Sequence, residues 1–163
     1  MLGAIIVLPG TVAIFVPAAL VWFSRDSQLA ASPSNFMQPA FWIGILAITT
    51  GIGLAIWTTR LFLTVGEGTP APWNPPRKFV VLGPYRYVRN PMIIGVLFIL
   101  VGEALLLHSA LIAAWMVVFF LLNAIYFPAI EEKDLERRFG NPYREYMKNV
   151  RRWIPRLSPW IET

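Results

Sequence analysis

The sequence predicts an all-α integral membrane protein, with about four transmembrane helices plus a C-terminal amphipathic cytoplasmic helix, in a single membrane domain over residues 1–163. Its composition is the first reason. Hydrophobic residues make up 56% of the chain and charged residues 14%, against about 45–50% and about 25% in soluble domains. The apolar residues also gather into long runs with the charges between them. The absence of cysteine excludes a disulfide framework, a thiolate metal site and a cysteine nucleophile.

Four apolar runs have about the length that crosses the hydrocarbon layer of a bilayer, which needs about 20 helical residues. They cover residues 2–23, 41–65, 92–107 and 110–130. The first run has no basic leader, so we interpret it as a retained span rather than a cleaved signal peptide. The third run is short, and we expect it to stand steeply or to thin the bilayer locally.

The segment of residues 66–91 separates the second and third runs and is rich in proline and glycine. Its prolines exclude a regular helix; they are Pro70, Pro72, Pro75 and Pro76. We therefore expect a stiff loop that is re-entrant or lies along the membrane surface.

Only His108 and Ser109 separate the third and fourth runs, so these two runs must form a helical hairpin. The hairpin returns two charged clusters to one membrane face. They are a basic, aromatic segment at residues 83–91 and an acidic segment at residues 131–134. Cavities with convergent polar groups are the default binding sites, so we expect the chemistry to lie between these two clusters.

Each cluster also has a simpler interpretation. Arg86 and Arg89 could bind a ligand carboxylate or phosphate, or they could only face lipid phosphates. Glu131 and Glu132 could complete a binding pocket, or they could belong to a surface helix stabilised by Glu–Lys and Asp–Arg pairs. The residues alone leave these alternatives open.

The chain after the fourth run predicts cytoplasmic helices over residues 131–157. Leu135, Phe139 and Tyr143 fall at helical spacing between charged residues, and the last residues are typical of a basic, aromatic interfacial anchor. Lysine and arginine are concentrated in this tail and in the loop of residues 66–91. The positive-inside rule places both, with the N- and C-termini, on the cytoplasmic side of the inner membrane. It also explains the net charge of +5 without nucleic acid.

Three polar residues in or beside the apolar runs are further candidates. Glu103 is a functional candidate by its depth in the third run, or it is protonated or hydrogen-bonded near the far interface. His108 is the single histidine, and a lone histidine cannot form a histidine-rich metal site, so we predict no metal. Asn123 is expected to join neighbouring helices.

Two motifs carry a resemblance to a known family. One is Gly-Pro-Tyr-Arg-Tyr-Val-Arg-Asn-Pro-Met over residues 83–92, followed by Gly95. The other comprises Glu131, Glu132, Leu135, Phe139, Gly140, Tyr143 and Tyr146. Within residues 66–157 the chain resembles the isoprenylcysteine carboxyl methyltransferase family, which is related to the membrane phospholipid N-methyltransferases.

The resemblance implies an all-helical membrane enzyme that transfers a methyl group from S-adenosylmethionine to a lipophilic acceptor, either an isoprenylcysteine-type carboxylate or a lipid amine. The cofactor would bind at the cytoplasmic end of the hairpin, and the acceptor would enter sideways between helices. Carried over by position, the resemblance implies catalytic roles for Arg89 and Glu132. It implies cofactor binding by Tyr85, Arg89, Asn90, Pro91, Gly95, Glu131, Glu132, Leu135, Tyr143 and Tyr146.

The chain departs from the family's first motif at two positions. That motif often reads Arg-His-Pro-x-Tyr-x-Gly, whereas this chain has Asn90 in place of the histidine and Ile93 in place of the tyrosine. Asparagine donates and accepts hydrogen bonds but does not titrate near neutral pH, so a histidine base is excluded there. The missing tyrosine removes a hydroxyl and a cation–π face.

Two other functions are open alternatives. Sterol reductases share this C-terminal architecture and use a nicotinamide cofactor, although we expect them to carry spans that this chain does not show. A non-catalytic membrane assembly or sensor protein would fit the departures at Asn90 and Ile93. Methyl transfer is the leading hypothesis, with membrane lipids and a lipophilic small molecule or lipidated substrate as partners.

Overall fold

The computed structural model describes residues 10–69 and 75–161, and every regular element within these ranges is helical. Five helices follow one another: α1 (Thr11–Ser24), α2 (Pro39–Thr64), α3 (Pro91–Leu106), α4 (Ala110–Phe139) and α5 (Asn141–Asn149). A 3-10 turn at Gly83–Arg86 precedes α3. The predicted all-α class is confirmed.

Two of the helices in the described ranges, α2 with 26 residues and α4 with 30, are long and apolar enough to cross a membrane. The helices α1 and α3 are apolar but shorter. The 16 residues of α3 rise about 24 Å at 1.5 Å per residue, less than the about 30 Å of hydrocarbon. Residues 2–9 of the first predicted span lie outside the described residues. The structure thus supports two spanning helices, and four spans stay a prediction.

Glycines let the backbones of α2 and α3 approach each other closely. A Cβ atom at Gly51 would lie 2.5 Å from the carbonyl oxygen of Gly95, and one at Gly102 would lie 2.6 Å from that of Gly44. Small residues allow such contact between membrane helices, and Gly44 and Gly51 supply it on α2. Gly53, on the same helix, faces open space.

The helices α3 and α4 form the predicted hairpin. His108 has a φ of 42° at the turn, and Ser109 caps α4 by accepting a hydrogen bond from Ile112 N at 3.4 Å. Buried side chains of α1, α3 and α4 form one apolar core, among them Ala13 and Leu100.

The helix α4 changes character along its length. Ala110–Tyr126 is apolar, a π-helical turn covers Phe127–Glu131, and Glu132–Phe139 is strongly charged. Pro128 lies in the π turn. It lacks an N–H and would clash with the preceding turn of a regular α-helix, so the wider turn accommodates it.

Residues 150–161 form a non-helical tail, although the sequence predicted helices up to residue 157. Its prolines, Pro155 and Pro159, disfavour a regular helix. Three backbone hydrogen bonds hold the tail against the basic segment. They run from Arg89 N to Arg151 O (3.0 Å), from Arg156 N to Tyr87 O (2.9 Å) and from Trp160 N to Arg86 O (2.9 Å).

Replacement of Gly51 by alanine should destabilise the contact between α2 and α3, because the added Cβ would meet the Gly95 carbonyl. Overpacking costs about 1–3 kcal/mol, which exceeds the about 1 kcal/mol that alanine contributes over glycine within a helix. The measurement is the thermal midpoint of the detergent-solubilised protein. Gly53→Ala is the matched control on the same helix and should keep or raise the midpoint. A midpoint for Gly51→Ala as high as the control's would contradict the close packing.

Candidate functional site

A cavity of about 470 Å³ lies between the basic segment, α4 and α5. Its volume falls within the range of about 300–1,000 Å³ that is usual for small-molecule sites. The wall near Val96 and Phe119 is apolar, whereas the wall near Arg89 and Glu131 carries charges and aromatic rings.

The cavity follows one side of α4 for much of its length. Phe119 and Arg138 both line it, and their separation of 19 residues (138 − 119) corresponds to a rise of about 28 Å. Before Glu131 the lining residues of α4 are mostly apolar; they are Phe119, Asn123, Tyr126, Phe127 and Ile130. From Glu131 onward they are mostly charged; they are Glu131, Asp134, Leu135, Arg138 and Phe139. One cavity therefore joins an apolar section within the span to a charged section beyond it.

Glu132 lies between two arginines, just behind the cavity wall. Arg152 donates to its Oε1 from Nε at 2.8 Å and to its Oε2 from Nη2 at 2.7 Å. The Nη1 atom of Arg89 lies 2.8 Å from the same Oε1. The side chains of Arg89 and Glu132 are 11% and 12% exposed, and that of Arg152 is 26% exposed. The hydrogen bonds to Glu132 raise the pKa of Arg152. The hairpin thus brings the basic and acidic segments together.

Arg89 and Asn90 present buried donors that no acceptor among the described residues satisfies. They are Nε and Nη1 of Arg89 and Nδ2 of Asn90; Nη1 is close to Glu132 but is not aligned to donate to it. Asn90 is 8% exposed, lines the cavity and leaves the first turn of α3 uncapped by its side chain. An unsatisfied buried donor costs about 1–3 kcal/mol, which a bound acceptor would recover.

Glu131 is the acidic counterpart of these donors. It lines the cavity, and within the described part of the chain its carboxylate has no cationic partner. Its neighbours do have one: Glu132 pairs with Arg89 and Arg152, and Asp134 Oδ2 lies 3.7 Å from Arg138 Nη1. The cavity therefore offers one unpaired carboxylate to a ligand.

A cluster of aromatic side chains forms the rest of the wall in the charged section of the cavity. The ring of Phe79 lies 5.7 Å from that of Tyr143 and 5.3 Å from that of Tyr146, and the Tyr146 hydroxyl donates to the Tyr85 carbonyl at 2.6 Å. Burial raises the pKa of Tyr143 and of Tyr146 well above the ordinary value. Both phenols are neutral near pH 7, where an ordinary tyrosine is neutral as well, and their ring faces attract cations.

The structure brings most of the predicted site residues to this one cavity. Those that line it are Tyr85, Arg89, Asn90, Glu131, Leu135, Tyr143 and Tyr146. Three others lie elsewhere. Glu132 stands behind the wall, Pro91 is buried at the start of α3, and Gly95 packs against α2.

Two residues of the site were not singled out by the sequence. Phe79 belongs to no motif and is distinguished only as an aromatic residue beside the basic segment. Arg152 stands out only as one of several basic residues in the tail. Their roles arise from contacts between segments that are far apart in the chain.

The other candidates lie outside the charged section of the cavity. Arg86 donates to the Val81 carbonyl at 3.3 Å. Asn123 lines the apolar section, but its Nδ2 donates to Phe119 O in its own helix rather than to a neighbouring helix. His108 Nδ1 lies 3.1 Å from Ser34 Oγ at the opposite end of the hairpin.

Comparison with known proteins places the chain in a family. The model of the phospholipid methyltransferase family matches residues 39–142, which is more than half of the chain. The chain belongs to the phospholipid methyltransferase family. Its resemblance to the membrane lipid methyltransferases is thereby confirmed. Family membership implies methyltransferase activity directed at lipids, and with the two long apolar helices it indicates a membrane protein.

Two further comparisons add little about function. The chain is 36% identical over 63 residues to an uncharacterized protein of Haemophilus influenzae. The matched residues cover the whole of that protein and 39% of this chain. No solved structure matches the chain. The phospholipid methyltransferase match ends at residue 142, so the tail that supplies Arg152 lies beyond it.

Replacement of Tyr146 by phenylalanine should lower the free energy of unfolding, because the buried Tyr85 carbonyl loses its donor. A buried acceptor left unsatisfied costs about 1–3 kcal/mol. The measurement is an unfolding titration in mixed micelles. Tyr87→Phe, at an exposed position of the basic segment that contains Tyr85, is the control and should change the free energy little. Equal effects of the two substitutions would show that the hydroxyl does not hold the site together.

Proposed function

We propose that this phospholipid methyltransferase family member binds S-adenosylmethionine in the charged section of the cavity and methylates a lipophilic, membrane-embedded acceptor. One observation carries the proposal. A carboxylate without a cationic partner among the described residues, buried guanidinium and amide donors without an acceptor there, and neutral aromatic rings all line a single cavity that continues into an apolar section.

The residues present fit the three charged groups of the methyl donor. Arg89 and Asn90 would hold its carboxylate through charge-assisted and amide hydrogen bonds. Glu131 would hold its ammonium group or its ribose hydroxyls. The rings of Tyr143 and Tyr146 would face its sulfonium, since aromatic faces attract cations.

S-adenosylmethionine, when bound, supplies an electrophilic methyl group that an acceptor takes by in-line displacement from sulfur. The contribution of this chain is mainly to hold two reactants in line, which can supply several kcal/mol of rate enhancement. A carboxylate acceptor needs no base, whereas an ammonium acceptor must first lose a proton. Asn90 cannot take that proton.

The apolar section of the cavity supports a lipophilic acceptor. Val96 on α3 and Phe119 and Phe127 on α4 line this section, and such an apolar surface favours burial of an alkyl or prenyl chain. The two acceptor classes of the hypothesis, a lipid amine and an isoprenylcysteine-type carboxylate, both carry such a chain. A nicotinamide-binding, reductase-like function is the alternative, and NADPH binding without S-adenosylmethionine binding would favour it.

Replacement of Glu131 by glutamine should weaken the binding of labelled S-adenosylmethionine to purified protein. A charge-assisted hydrogen bond contributes about 1.5–3 kcal/mol, so we expect the dissociation constant to rise roughly 10- to 100-fold. Glutamine keeps the shape of the side chain and removes its charge. The control is Glu145→Gln, an exposed position on α5, which should bind as the unaltered protein does. Unchanged affinity for Glu131→Gln would exclude this residue from the donor site.

Replacement of Asn90 by aspartate should also weaken donor binding, because it places a negative charge where a carboxylate is proposed to bind. We expect a loss of roughly tenfold or more, measured by the same binding assay. Asn141→Asp makes the same chemical change at an exposed helix start and should bind normally. If Asn90→Asp binds as tightly as this control, the carboxylate does not lie beside Asn90.

A further inference from the structure

We infer that Arg152 is a positioning residue: it balances the charge of Glu132 and thereby leaves the guanidinium of Arg89 available to an anionic group in the cavity. The inference rests on the proposed function, in which Arg89 holds the carboxylate of the methyl donor. Arg152 lies beyond residues 39–142, so the family match does not assign it a role.

The hydrogen bonds to Glu132 show which arginine satisfies its carboxylate. Both of its carboxylate oxygens accept from Arg152, at 2.8 and 2.7 Å. Arg89 approaches one of them to 2.8 Å, yet its Nε and Nη1 make no hydrogen bond with the described residues. Arg152 therefore satisfies the carboxylate, and Arg89 contributes mainly charge.

The charge balance explains what Arg152 adds. Two guanidinium groups and one carboxylate give this group a net charge of +1, which suits an anionic ligand. Without Arg152, Arg89 would be the one cation within ion-pair distance of Glu132 among the described residues, and the pair would be neutral. A largely buried carboxylate needs a hydrogen-bonded counter-ion. Arg89 would then turn toward Glu132 and away from the cavity.

The tail holds Arg152 firmly enough for this role. Val150, two residues earlier, is fully buried. The ring of Trp153, the next residue, lies 5.2 Å from Phe120 and 6.1 Å from Phe127 of α4. Arg151 O also accepts a hydrogen bond from Arg89 N. The tail therefore fixes both the backbone of Arg89 and the position of Arg152, which binds Glu132.

A double-variant experiment tests the inference by the affinity for labelled S-adenosylmethionine. Arg152→Gln should bind roughly tenfold or more weakly, because Arg89 is drawn to Glu132. The double variant Arg152→Gln/Glu132→Gln should recover most of the affinity, because no carboxylate at position 132 then draws Arg89 away from the cavity. Arg152→Lys keeps the charge but loses the hydrogen bonds to both carboxylate oxygens, so it should bind more tightly than Arg152→Gln. Arg137→Gln, an exposed arginine of α4, is the matched control and should bind normally.

A merely structural role for Arg152 predicts the opposite order. Loss of both partners of a supporting ion pair would then weaken binding as much as, or more than, loss of Arg152 alone. A double variant no better than Arg152→Gln, or an Arg152→Gln variant with normal affinity, overturns the inference. So does an Arg152→Lys variant as weak as Arg152→Gln.

A second readout does not need the methyl donor. In ¹⁵N-labelled protein, the Nε–Hε resonance of Arg89, assigned by its loss in Arg89→Lys, should shift in Arg152→Gln and return in the double variant. If these shifts occur in a protein that binds no S-adenosylmethionine, the inference stands and the proposed function fails. If the protein binds the donor but the resonance does not move, the inference fails and the proposed function stands.

Discussion

The site depends on one ionic group, in which Glu132 is held between Arg89 and Arg152. These residues come from the basic segment, the charged end of α4 and the tail, three parts of the chain that no local structure joins. Burial of the three charges is costly unless they remain paired, so their pairing restricts how the three parts can lie. Such a group is weak support for overall stability, but it specifies relative position. The charged wall of the cavity includes Arg89 and therefore lies next to this group.

The ionic group also gives two adjacent glutamates different surroundings. Successive residues of an α-helix point about 100° apart, so residues 131 and 132 cannot face the same partners. Glu132 faces the tail and has both oxygens satisfied, whereas Glu131 faces the cavity. A double glutamate at the end of a span can therefore place one carboxylate in an ionic group and the other on a cavity wall. Sequence motifs alone cannot assign the two positions, since the assignment depends on where the tail lies.

The features that the sequence predicted well are local. Uninterrupted apolar runs predicted helices, and the two-residue break at His108 and Ser109 required a hairpin, which brought the charged segments together. The features it missed depend on long-range packing. Gly95 was assigned to the cofactor wall, but a glycine indicates only that something approaches closely, and here that is the backbone of α2. The helical spacing of Leu135, Phe139 and Tyr143 led us to predict helices up to residue 157, but in the tail backbone hydrogen bonds to the basic segment take the place of helix.

The position of the cavity along α4 restricts the acceptor if the proposed function holds. The donor would occupy the charged section from Glu131 onward, and an alkyl chain the section before it, so the two meet near the π-helical turn at Phe127–Glu131. The atom that receives the methyl group must lie there, at the boundary between apolar and charged walls. An acceptor whose reactive atom is joined directly to its apolar chain, or to a headgroup just beyond it, satisfies this condition. A reactive atom in the middle of a long chain does not, because it would lie about a helical turn or more away from the donor section.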